Sequence, residues 1–287
     1  MTTVVVLGAS GMLGHALVAE LKDHDIRALT RAQADLTDRA MLEESIPQGA
    51  VVINTAAYTD VDGAETHSDD AFAVNAEGVR HVAEVVKTRH GRLIHLSTDY
   101  VFDGAAHTPY PENSPRNPQS VYGASKARGE QYVQETLPDS GIIARTAWLY
   151  GLPGSNFAAT ILTLGKDRES LTVVKDQIGQ PTSTLDVARM IRSLVDSDVT
   201  SGVFHATNSG HASWFDFAQK LFTLAGWDPQ RIKPVSSDAF PRPARRPAWS
   251  VLGHEAWLTH GLPAPRDWKD ALDEAWVRGF RELVDES

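Results

Sequence analysis

The chain contains no cysteine, which excludes a disulfide framework, a thiolate zinc site and a cysteine nucleophile together. It also lacks any hydrophobic run approaching the ~20 residues of a membrane span. The first apolar stretch, Val4 to Leu7, is short and runs directly into glycines, unlike a signal peptide. Positive charge is scarce: 37 acidic residues stand against 27 basic ones, a formal net charge of −10. That balance leaves no broad basic surface for nucleic acid, so a phosphate-bearing ligand must be held by local positive features. None of the 11 histidines falls in a metal-ligand spacing such as His-Glu-x-x-His, and no metal site is expected. These absences describe a soluble, cytoplasmic protein with neither membrane nor nucleic acid as partner. The 287 residues suffice for one large domain or for two lobes around a cleft.

What is present centres on VYGASK, residues 121–126. Tyr122 and Lys126 are separated by one helical turn at the head of a helical run, Ala124 to Leu137, so phenol and ammonium share a face. A neighbouring cation favours phenolate and lowers a pKa that is about 10 in isolation, which makes the hydroxyl a usable proton carrier. Taken alone, Tyr-x-x-x-Lys reads more readily as an ordinary helix-surface contact.

Its surroundings decide otherwise. TTVVVLG, residues 2–8, is a β-branched run suited to a strand buried on both faces. It leads through Gly8, Gly11, Met12, Leu13 and Gly14 into a segment with a helical apolar face. Strand, glycine turn and helix in this order bring a pyrophosphate to a helix N-terminus; a tight turn with packing glycines is the plainer alternative. A second strand ends at Thr30 and Arg31, where an NAD site would carry an acid. A hydroxyl and a guanidinium suit a 2′-phosphate, so NADPH is the expected cofactor, with NADH a second possibility. Asp35 and Leu36 follow and border the adenine in this scheme. The strand in residues 49–60 opens into Ala56, Ala57 and Tyr58, small enough at its start for a flat dinucleotide to lie against the sheet edge. Asn75 reads as structural. Residues 92–104 form a strand ending at Ser97-Thr98-Asp99, where Thr98 is positioned to bond the oxygen that Tyr122 protonates.

Strand and helix alternate through the first 150 residues, the pattern of an α/β doubly wound parallel sheet. From Gly151 the pattern loosens, with elements near 171–208 expected to return to the sheet. The expected division is therefore 1–150 for a dinucleotide and 151–287 mainly for a smaller mixed α/β substrate-binding lobe. Arg246, in the basic spot 244–247, suits a substrate diphosphate or an ordinary salt bridge. Trp148 suits either a stacking role or the core between lobes.

Gly8-x-x-Gly11-x-x-Gly14, a strand-end threonine and Tyr122-x-x-x-Lys126 together resemble the extended short-chain dehydrogenase/reductase superfamily, with its Rossmann-type fold. Longer strings narrow this: AAYTDVDGAE (56–65), STDYVFDG (97–104), NPQSVYGASKARGE (117–130), RTAWLYG (145–151), NF (156–157), DQIGQPT (176–182) and RRP (245–247). They resemble the dTDP-4-dehydrorhamnose reductase family, up to about residue 250. The resemblance implies NADPH-dependent reduction of the 4-keto group of a nucleotide sugar, with Thr98, Tyr122 and Lys126 as catalytic triad. It implies that Gly11 to Leu13, Thr30, Asp35, Leu36, Ala57, Tyr58 and Thr59 line the dinucleotide. Thr98, Asp99 and Trp148 would meet the sugar nucleotide, with Val61 and Tyr100 nearby. Many relatives carry glutamine at the position of Met12, a change of little consequence where backbone makes the contact. Some relatives are magnesium-linked dimers, but their glutamates do not map onto this chain, which leaves monomer or homodimer open. Dehydratases of the superfamily place Asp-Glu after the threonine; here Asp99 is followed by Tyr100, which favours simple reduction. An epimerase remains an alternative, as does a non-catalytic subunit similar to the regulatory subunit of S-adenosylmethionine synthetase.

Overall fold

The computed structural model describes residues 2–285. Six strands form its main sheet: β1 (Thr3–Leu7), β2 (Asp25–Leu29), β3 (Val51–Asn54), β4 (Arg92–Thr98), β5 (Gly141–Thr146) and β6 (Gly202–His205). Their spatial order is β6-β5-β4-β3-β1-β2, and every pairing is parallel. The order reverses at β1, with β2 on one side and β3 on the other. A crevice therefore opens where the loops after β1 and β3 diverge, the usual ligand position in such sheets.

The apolar strands are buried on both faces because successive side chains alternate. Val4, Val6, Ile53, Ile94, Ile142 and Phe204 belong to one core, shared with α1 (Met12–Glu20) and the helix Thr184–Asp196. Val5, Leu7, Val52, Leu93 and Ile143 belong to the other, shared with the helix Val79–Thr88 and the far end of the helix Val121–Thr136. The helix Thr184–Asp196 and β6 thus bring the second half of the chain back to the sheet. A separate core of Tyr150, Leu162, Phe217, Phe222, Trp268 and Phe280 holds the remaining lobe together. Its helices Phe157–Asp167, Trp214–Leu224 and Trp268–Ala275 surround a short parallel pair, Leu171–Val174 with Ile232–Val235.

One boundary differs from expectation. The tyrosine helix begins at Val121, because the Ser120 hydroxyl caps it by accepting from the Gly123 amide at 3.1 Å. The helical stretch before Val79 widens into a π-helical segment, Ala73–Gly78, that contains Asn75. Among the described residues, no helix is long and apolar enough to cross a membrane.

Candidate active site

Backbone crowding shapes the turn after β1. Gly8 has φ +81°, and a Cβ there would lie 2.8 Å from both the Ala56 amide nitrogen and Thr55 Oγ1. A Cβ on Gly14 would come 2.4 Å from the Gly8 carbonyl oxygen. Only glycine permits this approach. Gly11 then starts α1 with no side chain capping it, so the opening amides are left for a ligand, with the helix dipole behind them. The turn forms a cradle that any side chain would fill, and its shape fits a dinucleotide diphosphate.

The cradle is one wall of a cleft of about 1040 Å³. Gly8, Gly11, Met12, Leu13, Gly14, Arg31, Asp35, Leu36, Ala56, Ala57, Tyr58 and Thr59 all line it, together with Tyr122 and Lys126. Thr30 does not; its amide and hydroxyl both donate to Gln33 Oε1 at 3.0 Å. Arg31 is 82% exposed and donates to Asp35 at 2.9 Å, so the guanidinium is tethered at the cleft rim. The Thr37 amide, with Arg31, holds the Asp35 carboxyl below its usual range. Residues Pro153, Gly154 and Ser155 also line the cleft and escaped sequence reasoning. Asn156 ties them to the glycine turn, its amide reaching the Gly151 carbonyl at 2.7 Å and Met12 Sδ at 3.7 Å. The NF pair at 156–157 was the available signal.

At the reacting end, Tyr122 and Lys126 project from the same face, as their spacing requires. Lys126 is buried, and Nζ donates to the Leu96 carbonyl at 2.6 Å. Burial brings its amine down to about 8, against the opposing pull of Glu130. Burial also pushes the Tyr122 phenol up to about 12; the Thr98 side chain draws it down and Asp99 pushes it further up. The expected lowering of the tyrosine pKa by the lysine is therefore not seen: burial dominates the phenol, and the ammonium is engaged with a carbonyl. Thr98, at the end of β4, donates to Asp99 Oδ1 at 3.0 Å and accepts from the Tyr100 amide at 3.2 Å. Asp99 is buried, and burial raises its carboxyl to about 6. Tyr100 meets Tyr122 edge to face, with ring centroids 5.6 Å apart.

Thr98, Val61, Asp99, Tyr100, Trp148 and Arg246, all expected at the substrate, do not line the cleft. Trp148 has φ +47° and stacks on Trp214 with centroids 3.5 Å apart; a Cβ on Gly179 would fall 2.5 Å from its ring. Arg246 donates to Asp62 at 2.9 Å, the salt-bridged alternative of its two sequence readings. Asn75 is structural: its side chain accepts from the Tyr58 amide at 2.9 Å and donates to the Tyr58 carbonyl at 3.0 Å and Ser125 Oγ at 3.1 Å. It thereby pins the cleft loop to the tyrosine helix. Sequence reasoning missed Glu130, one turn beyond Lys126. Fully buried, it accepts from Ser97 at 2.6 Å, from Arg145 twice at 2.8 Å and from Arg116 at 3.2 Å. That network braces the end of β4 from behind. Among the described residues, no group of three or more His, Asp or Glu is arranged to hold a metal ion.

Residues 1–279 match the family model described as RmlD substrate binding domain. A dTDP-4-dehydrorhamnose reductase of Streptomyces griseus is 44% identical over 280 residues, covering 95% of this chain and 92% of its own. A dTDP-4-keto-6-deoxy-D-glucose reductase of Streptomyces niveus is 45% identical over 276 residues, covering 95% of this chain and 96% of its own. The crystal structure of dTDP-4-dehydrorhamnose reductase from Bacillus anthracis in complex with NADP is 37% identical, with a TM-score of 0.92 over 97% of this chain and 100% of that one.

Proposed function

The chain belongs to the RmlD substrate binding domain family, and we propose that it reduces the 4-keto group of dTDP-4-dehydro-L-rhamnose to give dTDP-L-rhamnose, a cell-surface carbohydrate precursor, at the expense of NADPH. One observation carries this reading: the glycine cradle, Arg31, and the Tyr122–Lys126 pair all line a single cleft. A diphosphate and a reacting carbonyl are thereby served by one continuous surface.

NADPH, when bound, supplies the hydride to the carbonyl carbon. The chain's own groups do the rest. The Gly8–Gly14 turn and the first amides of α1 receive the diphosphate, and Arg31 offers a guanidinium to the 2′-phosphate. Tyr122 gives its proton to the carbonyl oxygen as negative charge develops there. A phenol held at about 12 keeps that proton at neutral pH, which is the state a reduction needs. Lys126, anchored on the Leu96 carbonyl, has two further N–H bonds for ribose hydroxyls. Thr98 lies outside the cleft lining but close enough to act on the Tyr122 phenol, and its hydroxyl joins in holding the substrate oxygen once it turns away from Asp99. In this reading residues 1–150 carry the dinucleotide and 151–287 mainly the sugar nucleotide, in a cytoplasmic monomer or homodimer.

The test is NADPH oxidation with dTDP-4-dehydro-L-rhamnose, repeated with NADH, with the product identified as dTDP-L-rhamnose and NADP released each turnover. No oxidation with either cofactor would overturn the reading, and retained NADP would turn it toward epimerisation.

A further inference from the structure

The segment Pro241–Pro247 carries Arg242, Arg245 and Arg246 and no acid, in a chain whose net charge is −10. Two of these cations converge on one carboxylate from a distant part of the sequence. Asp62 Oδ2 accepts from Arg246 Nη2 at 2.9 Å and lies 3.7 Å from Arg242 Nη1. Its other oxygen, Oδ1, accepts from the Ala244 amide at 3.2 Å. The Arg246 guanidinium also sits 5.9 Å from the centre of the Tyr100 ring, and that ring is the one packed edge-on against Tyr122. Arg246 is thus separated from the proposed proton donor by one aromatic ring.

The substrate carries its groups in the same order. A hexose whose C4 oxygen meets Tyr122 carries its diphosphate at C1, across the sugar ring. We propose, resting on the reductase reading above, that Asp62 is an internal counter-ion of the substrate's diphosphate site. In the free protein it pairs with Arg246 and lies beside Arg242, and it is displaced from them when the nucleotide sugar arrives. The Arg246 guanidinium, 22% exposed, would carry a desolvation cost without an anion, and Asp62 offsets it. Phosphate oxygens match the fork of an arginine at least as well as a carboxylate does, so the exchange is feasible. Affinity for the diphosphate is then a difference between two anions competing for the same cations. Asp62 sets how weakly the nucleotide sugar is held, and hence how readily product leaves. Its displacement also frees the Ala244 amide and with it the arginine segment over Tyr100.

The experiment is calorimetric titration of dTDP into wild type, Asp62→Asn, Arg246→Gln and the double variant, with NADPH binding measured in each. Asparagine keeps an oxygen for the Ala244 amide and loses only the charge. Asp62→Asn should bind dTDP about fivefold tighter, the scale of a partly exposed ion pair. Arg246→Gln should bind it about tenfold more weakly, and the gain from Asp62→Asn should vanish in the double variant, with NADPH affinity alike in all four. Equal or weaker dTDP binding by Asp62→Asn overturns the proposal, as does a loss of NADPH binding, which would make Asp62 a structural strut. Failure of wild type to bind dTDP while it binds NADPH sinks the nucleotide-sugar reading itself, a different result from a failure confined to the variants.

Discussion

Lys126 Nζ donates to the main-chain carbonyl of Leu96 at 2.6 Å, so the ammonium is fastened to β4 two residues before Thr98. Lysine and tyrosine share a helix face, and this bond therefore also sets the position of Tyr122 relative to the strand end. The bond keeps a buried amine in place without tying it to the phenol. Tyr122 consequently stays protonated, raised to about 12 by its surroundings.

Replacing Tyr122 by Phe removes the proton donor and little else. Turnover should fall by roughly 10²–10⁴-fold, the usual contribution of a positioned general acid. NADPH affinity, measured by fluorescence titration, should stay close to wild type. Near-normal turnover would take Tyr122 out of the mechanism.

Burial holds Lys126 at about 8, against ~10.4 in an unfolded chain. Between those values the unfolded chain binds more protons than the folded one, so stability rises with pH across that window, and the cost is complete below it. Wild type should therefore gain stability on Lys126→Met as pH rises from about 7 to about 10. Urea denaturation midpoints of both proteins check this. A difference that does not change with pH would mean that the amine is solvated.

Asp99 titrates with the opposite sign. Its carboxyl is raised to about 6 by burial, against ~3.9 unfolded, so the folded state binds more protons between these values. Its burial cost appears as pH rises through that range and is complete above it. Asp99→Asn should gain stability on wild type from about pH 4 to about pH 7, read from thermal melts. A constant offset would show that Asp99 is not desolvated.

Gly8 and Gly49 both have positive φ, +81° and +68°, but only Gly8 is crowded. Gly49→Ala should cost about 1 kcal/mol of stability and leave NADPH binding intact. Gly8→Ala meets the Ala56 backbone as well and should weaken NADPH binding at least tenfold. Equal effects of the two changes on NADPH affinity would remove the diphosphate cradle from the argument.

Arg31 is solvent-exposed and pairs with Asp35, so its removal should leave the fold unchanged. Arg31→Ala should raise the KM for NADPH about tenfold, the scale of a lost charge-assisted bond to phosphate, with the KM for NADH unchanged. Steady-state kinetics with both cofactors measure it. A parallel rise for NADH would place Arg31 away from the 2′-phosphate.

The local features were legible in the sequence because their causes are local. The β-branched run of β1 meeting three glycines at a fixed spacing dictates a strand, a crowded turn and a helix start. Tyr122 and Lys126 share a face because a helix turns in 3.6 residues. The parallel sheet follows from the alternation of strand and helix, with right-handed crossovers. What tertiary structure decided are the contacts between residues far apart in the chain: Arg246 on Asp62, Trp148 on Trp214, and Arg145 with Glu130 behind the lysine. It also decided the protonation states, since desolvation depends on everything packed around a group and not on its neighbours in sequence. For that reason a tyrosine beside a lysine, which its spacing alone says should be acidic, is held by its burial as a phenol.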